Sequence, residues 1–139
     1  MTITAVWPIS SEQDPNAGDS MTITDPGEIE TLVSRLSEST AGAATVWHEG
    51  RELADTDTQM HDHDVMALVA EGYGYLSYID ADHDYAVLDG DPASPAWNGE
   101  DVDFPKGSGV SPETLAEALR EFLDSGERPE SVEWQPAEW

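Results

Sequence analysis

GVSPETLAEALREFLDSGERPESVEW, residues 109–134, carries in one run the start, body and end of a helix and the strand that follows it. Ser111 is placed to accept a hydrogen bond from the first-turn amides, and Pro112 stands where a missing N–H is harmless. Glu113 suits the positive end of the helix dipole. Leu115, Ala118, Leu119, Phe122 and Leu123 recur at helical spacing as one apolar stripe, with Glu117, Arg120, Glu121 and Asp124 on the other side. Gly126 supplies a left-handed exit, and Pro129 bars further helix while pushing Arg128 toward extended backbone. Ser131 to Gln135 then alternates as a half-buried strand whose Val132 and Trp134 face one way. The spacing predicts that helix and strand share one core, with Phe122 and Trp134 both inside it.

Upstream of the helix, Asp101-Val102-Asp103-Phe104 alternates as the last strand of a meander, and Asp89-Gly90-Asp91-Pro92 is a turn. Tyr85 to Leu88 is another strand. Val65 to Ala70 is nearly all apolar, as a central strand should be, and Glu71-Gly72 links it tightly to the strand Tyr73 to Ile79, which predicts a hairpin. Glu49 to Asp64 is polar, acidic and histidine-bearing and reads as a loop. Ala43 to His48 is a short strand with Val46 and Trp47 packing inward. Asp25-Pro26-Gly27-Glu28 comes close to a capping box, and the helix it opens has the stripe Ile29, Leu32, Val33 and Leu36. The Met-Thr-Ile-Thr of residues 1–4 returns at 21–24, too short for a repeat but consistent with two β-branched strands paired as neighbours. The fold expected is α+β, a mostly antiparallel sheet with two helices, the longer one near the C-terminus and followed by a final strand. One domain over residues 1–139 is expected, its tail from Gln135 to Trp139 mobile.

Thirty Asp and Glu oppose five Lys and Arg, a formal charge of −25. Such a surface repels nucleic acid and anionic membranes, so neither is an expected direct partner. The hydrophobic fraction of 38%, with five Trp, four Tyr and two Phe, argues for a folded chain, because acidic disordered segments are poor in aromatics. Two accounts of the charge compete: hydration of the surface in a salt-rich interior, which a single lysine (Lys106) suits, and capture of a basic partner. With no cysteine there is neither disulfide nor thiolate chemistry. No leader-like or membrane-length apolar run is present, and a cytoplasmic protein is expected.

The residue types that bind metals cluster in His61-Asp62-His63-Asp64 and in Asp80, Asp82, His83 and Asp84. Two histidines at i, i+2 share a strand face, and a small metal-dependent enzyme built on His61, His63 and Asp82 is one reading. Short Asp and His runs in solvated loops are the more economical one, and no HExxH spacing supports the metal. Nucleophile-elbow, phosphate-loop and dinucleotide signatures are all absent, so catalysis and cofactors are not expected. Asp80 with Asp82, and Asp101 with Asp103, put pairs of carboxylates on one strand face, equally suited to a solvated surface or to the arginines and lysines of a partner. Trp97 lies in an irregular stretch with no periodic reason for burial, which makes it a candidate interface anchor.

The run Val110 to Trp134, with Arg120-Glu121-Phe122-Leu123, the Ser125-Gly126-Glu127-Arg128-Pro129 turn and the closing Val132-Glu133-Trp134, resembles the C-terminal end of the Imm1 immunity-protein family. The mid-chain strand pair, the Gly90-Asp91 turn and the Phe104-Pro105 step extend the resemblance through the last half of the chain. The resemblance implies a bacterial protein that binds and neutralises a cognate polymorphic toxin, often a nucleic-acid deaminase, without a cofactor. The contact surface expected from the residues is Asp80, Asp82, Asp84, Trp97, Asp101 and Asp103 against a basic toxin. An acidic mimic of nucleic acid occupying another basic enzyme's cleft is a further alternative.

Overall fold

The structure, a computed structural model, describes residues 2–10, 13–14, 17–51, 53–55, 60–99 and 102–137. In chain order the elements are β1 (Ile3–Pro8), β2 (Gly18–Ile23), α1 (Glu28–Leu36), β3 (Ala44–His48), β4 (Leu53–Asp55), β5 (Met60–His61), β6 (His63–Ala70), β7 (Tyr73–Asp80), β8 (His83–Leu88), β9 (Trp97–Asn98), β10 (Asp103–Phe104), α2 (Pro112–Ser125) and β11 (Trp134–Pro136). One seven-stranded sheet runs β11-β8-β7-β6-β3-β1-β2, every pairing antiparallel. The chain is α+β, with its longer helix near the C-terminus and a last strand after it.

Local chemistry accounts for most of these elements. The Ser111 hydroxyl accepts from the Thr114 amide, Pro112 opens α2, and Gly126 ends it at φ 72° in the left-handed region. The β6–β7 hairpin turns through Glu71 (φ 55°) and Gly72 (φ 81°); two successive positive φ values match the right-handed twist of the flanking strands. The two β-branched stretches do pair as neighbours, with Ile3 opposite Ile23 and Thr4 opposite Thr22. The expected cap of α1 is shifted: Gly27 is the N-cap, while the Asp25 carboxylate accepts from the Gly27 amide at 2.8 Å and Glu28 reaches back to the Asp25 amide at 3.2 Å. Among the described residues no helix is long and apolar enough to cross a membrane.

Both helices pack on one side of the sheet. Ile29, Leu32, Val33 and Leu36 of α1 and Leu115, Leu119, Phe122 and Leu123 of α2 meet Ile3, Ala5, Trp7, Val46, Val65, Ala67, Leu76 and Tyr78 in the main core. Leu68, Tyr75 and Val87 face the opposite side, where the chain between β8 and α2 folds back and covers them with Val102 and Phe104. That excursion is cinched at its neck. The Gly90 amide donates to the Gly107 carbonyl and the Asp91 amide to the Gly109 carbonyl, both at 2.8 Å. A Cβ on Gly90 would stand 2.2 Å from the Gly109 carbonyl oxygen, so only glycine closes the neck.

Beyond the α1 cap, other expectations change. The segment Glu49 to Asp64 holds the β4–β5 pair and the start of β6. Asp103 and Phe104 pair with Asn98 and Trp97 in a separate two-stranded sheet rather than extending the main meander, since Pro95 and Pro105 bracket the hairpin and limit its ladder. Gln135 and Pro136 lie in β11 opposite Val87 and Ala86, where a loose tail was expected; Glu138 and Trp139 lie outside the described residues. Trp134 is half-buried, its ring against Tyr78 and its indole N–H donating to the Pro129 carbonyl at 2.8 Å.

Candidate functional site

The densest polar arrangement surrounds Arg51, just after β3. Its Nε and Nη2 donate to the two oxygens of Asp62 at 2.9 and 3.1 Å, a bidentate pair. Its Nη1 reaches the Tyr78 hydroxyl at 2.8 Å, Asp80 at 3.2 Å and the Gly126 carbonyl at 3.0 Å. That last bond matters because α2 has no basic residue in its final turn. Arg51 therefore brings positive charge from a distant segment to the negative end of the helix and satisfies one of its orphan carbonyls.

Asp80 sits beneath this cation with its side chain only 3% exposed. It accepts from the Tyr78 hydroxyl at 2.7 Å, from His83 Nδ1 at 2.8 Å and from the Asp82 amide at 2.9 Å. Burial alone would raise its pKa, but these donors and Arg51 outweigh that and hold the carboxyl well below the usual range. Asp62 is lowered as well, against the same burial effect, by Arg51 and His63. Burial and the Asp80 hydrogen bond push the Tyr78 phenol far up. Asp62, Asp80 and Tyr78 are each displaced away from neutrality, toward the protonation state already held, whereas an acid–base catalyst needs a pKa near the working pH. The arrangement is a brace tying the segment after β3, the β7–β8 turn and the end of α2 together.

The two buried histidines belong to the same construction. His63 Nε2 accepts from the His48 amide at 2.9 Å, so the proton is on Nδ1 and is donated to Asp62 at 2.7 Å. His48 Nδ1 accepts from the Gly50 amide at 3.0 Å and its Nε2 donates to the Leu123 carbonyl at 2.9 Å, satisfying another α2 terminal oxygen. Both nitrogens of His63 are committed to protein partners, so it offers a metal no lone pair. Among the described residues no group of three or more His, Cys, Asp or Glu is placed to hold a metal ion. His61 lies in β5, its side chain outside the described residues, and Asp82 is exposed on the β7–β8 turn.

The expected contact residues separate. Asp80 is internal. Asp82 borders a concavity of about 350 Å³ shared with Arg51, Asp62 and Gly126. Asp84 and Asp103, both exposed, line a second one of about 770 Å³ together with Tyr85, Asn98 and Phe104. A β-bulge explains the position of Asp84: between the pairs Tyr78↔Ala86 and Asp80↔His83, β8 advances three residues against two on β7, so Asp84 and Tyr85 turn to the same side. Trp97 is half-buried, its ring 6.3 Å from that of Phe104, and borders a third concavity of about 470 Å³ with Ala43 and Met66. Asp101 lies outside the described residues.

A family model described as Immunity protein Imm1 matches residues 17–136. The chain belongs to the Imm1 immunity-protein family. Among the curated proteins compared, none matches it. The Imm1 match begins just before β2 and ends within β11, so it takes in both helices, six strands of the main sheet and the whole Arg51 brace. Membership implies a toxin as partner. Arg51 had one signal in the sequence of this Imm1 chain: it is the single cation between Arg35 and Lys106, amid acids.

Proposed function

We propose that this chain neutralises a cognate bacterial toxin by binding it in the cytoplasm, as one domain and without catalysis or a cofactor. The Imm1 match over residues 17–136 carries the reading. The charge of −25 supports it, since a toxin acting on nucleic acid, such as a deaminase, carries a cationic surface for its polyanionic substrate. The four arginines are held within the chain: Arg35 by Asp19, Arg51 by Asp62 and Asp80, Arg120 by Glu30, and Arg128 over the Trp134 ring at 5.5 Å. Apart from the exposed Lys106, the outward charge is therefore left to the acids. Asp82, Asp84 and Asp103, with Asp101 two positions before the last in the sequence and Trp97 as apolar anchor, are the proposed contacts, and Asp80 holds the turn from beneath.

Exposed acids at the rim of an interface speed encounter more than they slow release. Changing Asp82, Asp84 and Asp103 together to Asn should lower the association rate with the toxin domain encoded by the adjacent reading frame by about tenfold at low salt, and flatten its salt dependence. Trp97→Ala should act chiefly on dissociation, by about 2 kcal/mol. Surface plasmon resonance across a salt series reads both, and a triple variant that associates like the parent at every ionic strength would count against these acids. Failure of the parent to bind the toxin or protect cells from it would overturn the immunity reading itself.

A further inference from the structure

The helices leave one side of the sheet to the excursion, which among the described residues covers the part carrying Ala43, Met66, Leu68, Tyr75 and Val87. Strand register defines what occupies the rest. Thr22, Thr4 and Trp47 are neighbours across β2, β1 and β3, and the pair Val46↔Val65 sets Trp47 beside Asp64, which in turn faces Ile79. The next row is Ser20, Val6 and Thr45. Val6 is 41% exposed, the large apolar side chain most open to solvent among the described residues, while Trp47 and Ile79 are half-buried and Asp64 is exposed. Trp47 was expected in the core, but period-two alternation sends it away from Val46 and onto this side. At the β8 end the bulge adds Asp84 and Tyr85. Tyr85 lines one concavity with Asp84 and Asp103; burial chiefly, with the charges of Asp64 and Asp103 beside it, raises the pKa of its phenol.

We infer that this open half-face is the docking surface for the cationic toxin, with Trp47, Ile79 and Val6 as its apolar centre and Asp64, Asp84 and Asp103 as its anionic rim. The inference deepens the immunity reading and rests on it. An aromatic and aliphatic centre within a charged rim is the composition of an energetic hot spot. Charge decides the occupant: a second copy brings another −25, with its arginines held by its own contacts, so the rim calls for a partner of opposite sign.

The test uses the full chain and the purified toxin domain from the adjacent reading frame, with dissociation constants measured at one salt concentration. Val6→Lys puts a cation at the centre without disturbing the core and should raise the dissociation constant by at least about tenfold, as should Trp47→Ala. Glu117→Gln, the same change in charge on the exposed side of α2, should leave it within about twofold. Because Trp47→Ala removes a half-buried ring, Val6→Lys is the deciding variant. Parent-like affinity in Val6→Lys overturns the docking face while the immunity reading stands. Absence of binding by the parent removes the reading and the face with it. A Val6→Lys variant whose self-association changes by sedimentation, with toxin affinity intact, makes the face a contact between copies and overturns the proposal.

Discussion

Arg51→Met unfolds in urea with about 3 kcal/mol less stability than the parent at neutral pH, the loss expected when one partner of a largely buried ion pair is removed. Methionine keeps the apolar stem but leaves the Asp62 and Asp80 carboxylates without their shared cation and the Gly126 carbonyl without its donor. The pH dependence follows from the two depressed acids. A carboxyl whose folded pKa lies below its unfolded value, about 3.9 for Asp, contributes stability that is present above that value and lost as pH falls through the folded one. In the variant Asp62 loses the leading cause of its depression, and Asp80 loses one donor while keeping those from Tyr78, His83 and the Asp82 amide. The gap between parent and Arg51→Met is therefore widest near pH 7 and narrows toward pH 3. Urea midpoints at both pH values check this, and an unchanged gap would mean that Arg51 acts through packing alone.

Phe122→Ala carries the other large effect, a loss of about 3–5 kcal/mol, because the ring is 1% exposed and its removal leaves a cavity at the junction of α2 with the brace. Its ring lies 5.6 Å from His48, 5.9 Å from His63 and 6.1 Å from Tyr78, all in edge-on arrangements. The cavity would loosen the two imidazoles that fix Asp62 and the Leu123 carbonyl. Phe122→Leu, which keeps most of the volume, should lose less than about 1.5 kcal/mol. Trp134→Ala should fall below Phe122→Ala, since that indole is half in solvent. Denaturant unfolding of the three variants gives the order. The double variant Arg51→Met, Phe122→Ala should lose less than the sum of the singles, since both act on one network.

Much of the architecture was legible because its signals are local. The capping serine, first-turn proline, apolar stripe and exit glycine of α2 all lie within sixteen residues, and Glu71-Gly72 with its flanking apolar runs specifies the hairpin. The immunity resemblance rested on that same stretch. The brace was not legible, because it joins Arg51, Asp62, Asp80 and Gly126, and no periodicity links those positions. In a chain so rich in acids, nothing in the spacing of Asp80 and Asp82 distinguishes the carboxylate that is buried from the one that is solvated; the distinction comes from a single distant arginine. Asp84 was expected on the partner-facing surface from its acidity, but its position depends on a bulge that the sequence does not mark. Trp47 could have been placed from its own strand, since Ala44, Val46 and His48 claim the core side and leave Thr45 and Trp47 to the other.

The cinched neck at Gly90 and Gly109 has a consequence for how this scaffold can be varied. Because the chain leaves the sheet and returns to it through adjacent backbone hydrogen bonds, β8 and α2 are held in place whatever lies between. The entropy of closing a loop grows only slowly with its length, about 0.6 kcal/mol for each doubling, so the excursion can vary in length with little penalty as long as side chains in the place of Val102 and Phe104 still cover Leu68, Tyr75 and Val87. The hairpin bearing Trp97 and Asp103 can thus be exchanged for one that keeps the apolar cover of Val102 and Phe104, and grafting such a hairpin between Asp91 and Lys106 is the natural route to redirecting recognition while the helices, the sheet and the brace remain as they are.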